Sequence, residues 1–74
     1  MTVAVAFGMV LRDCRQKAGF SQEALADVAN VDRTYVSLLE RGLRQPTLDT
    51  LFGLSRALSI SPATIVSRTA ALAG

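Results

Sequence analysis

The segment from Ser21 to Leu39 constrains the fold of this chain more than any other part of the sequence. Ser21 is suited to cap a helix, because its hydroxyl can accept a hydrogen bond from a free amide of the first turn. Asp32 can cap a second helix in the same way. Asn30, between the two, tolerates the left-handed backbone conformation that a tight turn requires. The segment therefore predicts two short helices joined by a tight turn.

Small and apolar side chains in this segment indicate how the two helices cross. Leu25 is expected to point into the core, and Ala26 is small enough to let the second helix pass close to the first. Val36 and Leu39, three residues apart, give the second helix an apolar inner face. The opposite face carries the polar residues Arg33, Thr34 and Ser37. This pattern is typical of a helix-turn-helix, which makes sequence-specific binding to DNA the leading functional hypothesis.

The residues that follow this segment extend the pattern. Glu40, Arg41 and Gly42 come directly after the second helix, and the run RQPTLDTL at 44–51 leads into a further helix. Together these residues resemble the lambda-repressor/Cro-type helix-turn-helix family over roughly residues 7–66. The run DRTYVS at 32–37 is most similar to the small controller proteins of restriction-modification systems. The chain departs from the family in having Asn30 where Gly is usual.

Capping residues and apolar spacing predict an all-α domain of five helices, and the resemblance implies that these helices have a lambda-repressor-like arrangement. The expected helices span about 3–17, 22–29, 33–41 and 48–58, and a fifth begins at Pro62, where a missing amide does no harm. Helix 1 is expected to stop at Gly19 and helix 3 at Gly42. The inner face of helix 4 is expected to carry Leu48, Leu51, Leu54 or Ser55, and Leu58.

Length and charge narrow the classes of function. A chain of 74 residues predicts one domain over 1–74, with the motif at about 21–41 and no pocket for a small-molecule ligand. The net charge of +2 alone does not indicate nucleic-acid binding. The distribution of basic residues is more informative, because Arg33, Arg41 and Arg44 cluster around the second helix of the motif.

The resemblance implies which residues reach DNA bases. Arg33 and Thr34 open the second motif helix at positions that contact base edges in the major groove. Arg33 can donate two hydrogen bonds to guanine O6 and N7, although contact with phosphate alone is the alternative. Ser37, one turn further on, and Arg44, in the following loop, are the other candidates for base contact.

Four residues are candidates for contact with the DNA backbone: Gln22, Tyr35, Arg41 and Gln45. Gln22 begins the first motif helix, where free amides and the helix dipole favour a phosphate. In the family the matching glutamine also steadies the residues that read the bases. Tyr35 can bond a phosphate or stack on a sugar, or it can be half-buried packing.

Arg15 and Glu40 form the structural ion pair that the resemblance implies, between the first helix and the end of the third. An unpaired Glu40 beside DNA would repel phosphate, and an Arg15 partner removes that repulsion. The alternative is a solvated Glu40 that pairs with nothing.

The limited number of base contacts favours a homodimer. Each good contact discriminates between bases by only about 1–3 kcal/mol, so two half-sites on a partly palindromic operator are needed for useful specificity. Helices 4 and 5 offer the available surface. Phe52, Ile65 and Leu72 are the candidate interface residues, and any one of them could belong to the core instead.

The sequence offers little for catalysis or metal binding. It has no histidine, and its single cysteine, Cys14, lies on an apolar stripe that favours core packing. We therefore expect no catalytic residues, no enzymatic activity, no bound metal and no cofactor. The apolar stretch Met1 to Leu11 is too short to span a bilayer, so we expect no membrane association. A single cysteine allows no disulfide within the chain, which fits the reducing cytoplasm, so we expect a cytoplasmic location.

The leading interpretation is a dimeric transcription regulator that binds double-stranded DNA and controls its own expression, with a restriction-modification controller as the nearest resemblance. A phage Cro-like repressor is the closest alternative. An antitoxin of a toxin–antitoxin pair also stays open, as does a helical interaction module that has lost DNA binding.

Overall fold

Five α-helices and no strands make up the fold, which the computed structural model describes for all residues 1–74. The helices are α1 (Val3–Lys17), α2 (Gln22–Ala29), α3 (Arg33–Glu40), α4 (Leu48–Leu58) and α5 (Pro62–Ala73). The predicted all-α, five-helix architecture is confirmed. The third helix ends one residue earlier than expected, because Arg41 is its C-cap.

Each helix begins after a short polar residue whose side-chain oxygen accepts a hydrogen bond from an amide of the first turn. These caps are Thr2, Ser21, Asp32, Thr47 and Ser61. At the other end of α2, Asn30 adopts the left-handed conformation predicted for the turn, with φ of 58°. Ser59 ends α4 in the same conformation, with φ of 56°, and no sequence signal had indicated it.

The core is built from residues of all five helices. Its twelve members are Phe7, Val10, Leu11, Cys14, Leu25, Ala26, Val36, Leu39, Leu51, Leu54, Leu58 and Ile65. Cys14 is buried, as its place on the apolar stripe predicted. None of the five helices is long and apolar enough to cross a lipid bilayer.

Two expectations about orientation are wrong. Leu48 was expected to face inward, but it is 75% exposed because it is the first residue of α4 and lies beyond the edge of the core. Ile65 was expected at a dimer interface, but it is fully buried. The face of α5 that packs against the core carries Ile65 and Thr69, one turn apart, and so Ile65 cannot contact a partner chain.

Gly8 allows α1 and the end of α3 to meet at backbone distance. A Cβ atom at position 8 would overlap the carbonyl oxygen of Leu39 and lie 2.7 Å from that of Glu40. Both obstacles are backbone atoms, which cannot rotate away as the end of a side chain can. The absence of a side chain at Gly8 therefore allows α3 to pack closely against α1.

Candidate nucleic-acid interface

The α2–turn–α3 unit forms as the sequence predicts. Leu25 and Ala26 of α2 are buried against Val36 and Leu39 of α3 within one core. The turn between the helices is closed by a hydrogen bond from the Val31 amide to the Ala26 carbonyl, at 2.9 Å. The inner faces are thus occupied by apolar packing, which leaves the outer face of α3 free.

The outer face of α3 presents polar side chains to one side of the molecule. Arg33 and Thr34 are exposed in the first turn, Ser37 is partly exposed, and Arg41 is exposed at the C-cap. A helix advances about 100° per residue, so these four positions fall within an arc of about 100°. Neither Arg33 nor Arg41 takes part in a salt bridge within the chain. Their guanidinium groups are therefore available to an external anion.

The loop after α3 carries two further candidates, Arg44 and Gln45, and both are exposed. Tyr35 is partly buried and packs against the core, which is the packing arrangement that the sequence had left open. Its hydroxyl donates a long hydrogen bond of 3.5 Å to the Gln45 carbonyl and so connects α3 with the loop. Contacts of Tyr35 and Gln45 with phosphate stay predictions.

The expected ion pair of Arg15 and Glu40 is present and buried. Arg15 Nε donates to Glu40 Oε2 at 2.6 Å, and Arg15 Nη2 donates to Oε1 at 3.0 Å. Arg15 Nη1 also donates to the Phe20 carbonyl at 2.9 Å, which holds the guanidinium in place. The pair therefore joins α1, the loop before α2, and the end of α3.

Two more donors reach the same carboxylate. Gln22 Nε2 donates to Glu40 Oε1 at 3.0 Å, which fits the steadying role that the resemblance implied for this glutamine. Arg12 Nε donates to Oε1 at 3.3 Å. Arg12 was not predicted to belong to this site, although its position three residues before Arg15 places both on one side of α1 and could have indicated it.

These contacts set the ionisation of Glu40. Burial raises the pKa of the Glu40 carboxyl, whereas hydrogen bonds from Arg15 and Gln22, the Arg15 charge and the hydrogen bond from Arg12 lower it. The lowering effects are larger together, so the pKa lies below its ordinary value of 4.5. Glu40 is therefore charged at neutral pH, and its charge is matched inside the protein.

A second group of charges lies away from α3, between α1 and α5. Asp13 Oδ2 contacts Arg68 Nη2 at 2.7 Å and Lys17 Nζ at 3.1 Å. The hydrogen bonds from Arg68 and then Lys17 lower the pKa of Asp13. Arg68 Nη1 also lies 3.2 Å from the sulfur of Cys14. These contacts hold α5 against α1 and do not touch the α3 face.

The surface of α4 and α5 differs from what the sequence predicted for self-association. Phe52 and Leu72 are both largely exposed, at 49% and 41%, so both can take part in an interface. Ile65, the third candidate, lies in the core. Whether Phe52 and Leu72 contact a second copy stays a prediction.

Comparison with known proteins places this geometry in a family. The helix-turn-helix family model matches residues 11–65. The chain is 39% identical to the control protein C.BamHI of Bacillus amyloliquefaciens over 61 residues, which are 81% of this chain and 75% of that protein.

Two crystal structures of restriction-modification controller proteins are also similar. C.AhdI from Aeromonas hydrophila superposes with a TM-score of 0.82 and 42% identity, over 84% of this chain and 94% of that one. C.Esp1396I, solved as a tetramer with its natural 35 base-pair operator, superposes with a TM-score of 0.83 and 29% identity, over 93% and 91% of the two chains. The chain therefore belongs to the lambda-repressor/Cro-type helix-turn-helix family of DNA-binding transcription regulators.

Proposed function

We propose that this chain is a sequence-specific transcription regulator that binds a partly palindromic operator as a homodimer and acts as a restriction-modification controller. One observation carries the proposal: on the outer face of α3, the exposed side chains of Arg33 and Thr34 make no hydrogen bond or salt bridge within the chain. Arg33 suits a guanine edge and Thr34 a base or a thymine methyl. Ser37 and Arg44 complete the proposed base contacts.

Charge around α3 supports DNA as the ligand. Arg41 is exposed next to the proposed base-reading positions and suits phosphate oxygens, and the exposed Arg44 adds positive charge to the same side. The nearby carboxylate, Glu40, is buried and matched by Arg15, so it does not oppose an approaching phosphate. Gln22, Tyr35 and Gln45 are the proposed neutral contacts to the backbone.

The size of the molecule supports a dimer. The longest dimension of the chain is 31 Å, whereas two major-groove faces on the same side of B-DNA are about 34–36 Å apart. One copy therefore reaches one half-site, and two are needed to read both halves of a palindrome. The exposed Phe52 of α4 and Leu72 of α5 are the proposed contacts between the copies.

The relatives support the biological role. C.BamHI and C.AhdI are control or controller proteins, and C.Esp1396I is a controller bound to its operator. By analogy, we propose that this chain acts in the cytoplasm and that the promoter of its own gene is among those it regulates. The chain is then a regulator rather than an enzyme, and its concentration sets the occupancy of the operator through dimerisation.

Selection of bound duplexes from a random DNA library tests the proposal. The purified chain should enrich two inverted half-sites with a fixed spacing, and the enriched duplex should be bound far more tightly than a scrambled duplex of equal composition. The Arg33→Ala variant should lose this preference. Arg56→Ala should keep it, because Arg56 is an exposed arginine of α4 outside the proposed face. Recovery of no common sequence would contradict the proposal and favour a protein-binding role.

A further inference from the structure

Glu40 and its three side-chain partners, Arg12, Arg15 and Gln22, form what we call the Glu40 cluster. Within it, the positive charge of Arg12 is not balanced by a negative charge. The single negative charge of Glu40 is already matched by Arg15, which contacts both carboxylate oxygens. Arg12 adds a second positive charge through one hydrogen bond of 3.3 Å, the longest in the cluster. Its side chain is 51% exposed, whereas that of Arg15 is 12% exposed. The cluster therefore carries a net positive charge that faces solvent through Arg12.

The surroundings of Arg12 are rich in hydrogen-bond donors. Arg12 Nε and Gln22 Nε2 donate to the same oxygen of Glu40, so the guanidinium lies beside the first residue of α2. The amides of Gln22 and Glu23 have no acceptor within the chain, as is usual for the first turn of a helix. The terminal nitrogens of Arg12 also donate to no group of the chain. An oxyanion beside Gln22 would meet donors from three sources.

We propose that Arg12 is a DNA-phosphate contact on α1, outside the helix-turn-helix segment, and that Glu40 is the positioning residue that holds Arg12 next to Gln22. This inference rests on the proposed function, because the phosphate belongs to the DNA bound by α3. It adds a residue of α1 to an interface otherwise formed by α2, α3 and the following loop.

Arg12 can contact a phosphate while it stays bonded to Glu40. Only its Nε is engaged with the carboxylate, so the two terminal nitrogens can donate charge-assisted hydrogen bonds to a phosphate while Glu40 holds the side chain. Arg15 cannot act in this way, because its Nε and Nη2 both bond Glu40 and its Nη1 bonds the Phe20 carbonyl.

The competing explanation is that Arg12 is only a structural partner of Glu40. The two roles differ in what they change. A phosphate contact contributes to the salt dependence of binding on every DNA sequence and contributes little to folding. A structural partner contributes to the melting temperature and leaves the salt dependence of binding unaltered.

Titrations of the full chain at several salt concentrations distinguish the roles. The wild type is compared with Arg12→Ala and Arg12→Lys, on both the selected operator duplex and a scrambled duplex. Lys17→Ala is the matched control, because it removes one positive charge from the same helix at an exposed residue paired with Asp13. We expect Arg12→Ala to reduce the slope of log K against log salt by about 0.9 per bound subunit. The fold-loss of affinity should be equal on the two duplexes, with an unchanged melting temperature.

Arg12→Lys should have the wild-type slope of log K against log salt, because lysine keeps the positive charge. Lys17→Ala should have the wild-type slope as well. A wild-type slope in Arg12→Ala overturns the inference, most clearly if the melting temperature falls. Failure of the proposed function has a separate signature. A wild type that binds both duplexes equally refutes sequence-specific regulation, while the slope on the scrambled duplex still reports on Arg12. A wild type that binds neither duplex overturns both.

Discussion

Arg15 holds the Glu40 carboxylate by both oxygens, through bonds of 2.6 Å from Nε and 3.0 Å from Nη2. The two residues belong to α1 and to the last position of α3, so this ion pair joins the first helix to the helix proposed to enter the major groove. It also removes a negative charge from the neighbourhood of the proposed phosphate contacts. One interaction thus serves both the fold and the interface.

The first prediction concerns the energy of this pair. Arg15→Ala leaves a buried carboxylate with weaker partners, and we expect a loss of about 3 kcal/mol in the free energy of unfolding. Glu40→Ala should also destabilise the protein. The double variant should lose less than the sum of the two single losses, because only one interaction is broken. Urea unfolding of the four proteins gives the coupling energy, and additive losses would show that the pair contributes nothing directly.

A second prediction concerns acid stability. The pKa of Glu40 is lower in the folded chain than in the unfolded chain, so its ionisation stabilises the fold fully above the unfolded value near 4.5. This contribution should be lost as pH falls through the folded pKa. Glu40→Gln should therefore have a smaller loss of stability between pH 6 and pH 3 than the wild type.

Asp13→Asn is the comparison for this experiment, because the pKa of Asp13 is lowered as well but its carboxylate is at the surface. Thermal melts across the pH range measure the effect. We expect Glu40→Gln to flatten the profile more than Asp13→Asn does. Identical profiles in wild type and Glu40→Gln would mean that Glu40 has the same pKa in both states.

The third prediction separates reading of bases from contact with phosphate. Arg33→Ala should cost about 1–3 kcal/mol of binding free energy per half-site and relax the preference at one base pair. Binding is measured on the operator and on duplexes substituted at each position of the half-site. An equal loss of binding free energy on every duplex would show that Arg33 contacts only phosphate.

A fourth prediction concerns assembly. Phe52→Asp should produce a folded monomer with weak operator binding, since Phe52 is 49% exposed on α4. Met9→Asp is a matched control on α1, where the side chain is also 49% exposed, and it should leave the dimer intact. Ile65→Asp should instead unfold the chain, because it buries an unpaired charge in the core. Sedimentation and circular dichroism distinguish these results. A wild type that is monomeric at tens of micromolar and binds its operator one-to-one would refute the proposed dimer.

Much of the fold could be predicted because its signals are local. Ser21, Asp32 and Thr47 act within one turn of their own helices, and Asn30 adopts the left-handed turn that its side chain tolerates. Such features depend on neighbours in sequence, which are known before any tertiary contact is known. The starts of α2, α3 and α4 and the end of α2 follow from them.

The wrong or missing predictions concern residues whose burial or partners depend on packing between helices that are distant in sequence. Nothing in the spacing of Ile65 shows which face of α5 turns towards the core, and its burial follows from the packing of α5 against α1 and α4. Leu48 continues an apolar repeat but lies past the end of the core. Arg12 was missed because the resemblance paired Glu40 with Arg15 alone, whereas Glu40 has three partners in the structure.

The contact of Gly8 with the Leu39 and Glu40 carbonyls has a consequence for the choice of operators. Backbone contact leaves little space between α1 and α3, so in the proposed dimer we expect each copy to hold its proposed base-contacting side chains in one orientation relative to α1. Half-sites whose separation differs from that of the two α3 helices would then be accommodated elsewhere. The DNA can bend, at a cost that depends on the sequence between the half-sites, or the two copies can rotate about the proposed interface. We therefore expect the spacer between half-sites to affect affinity even where no side chain touches it.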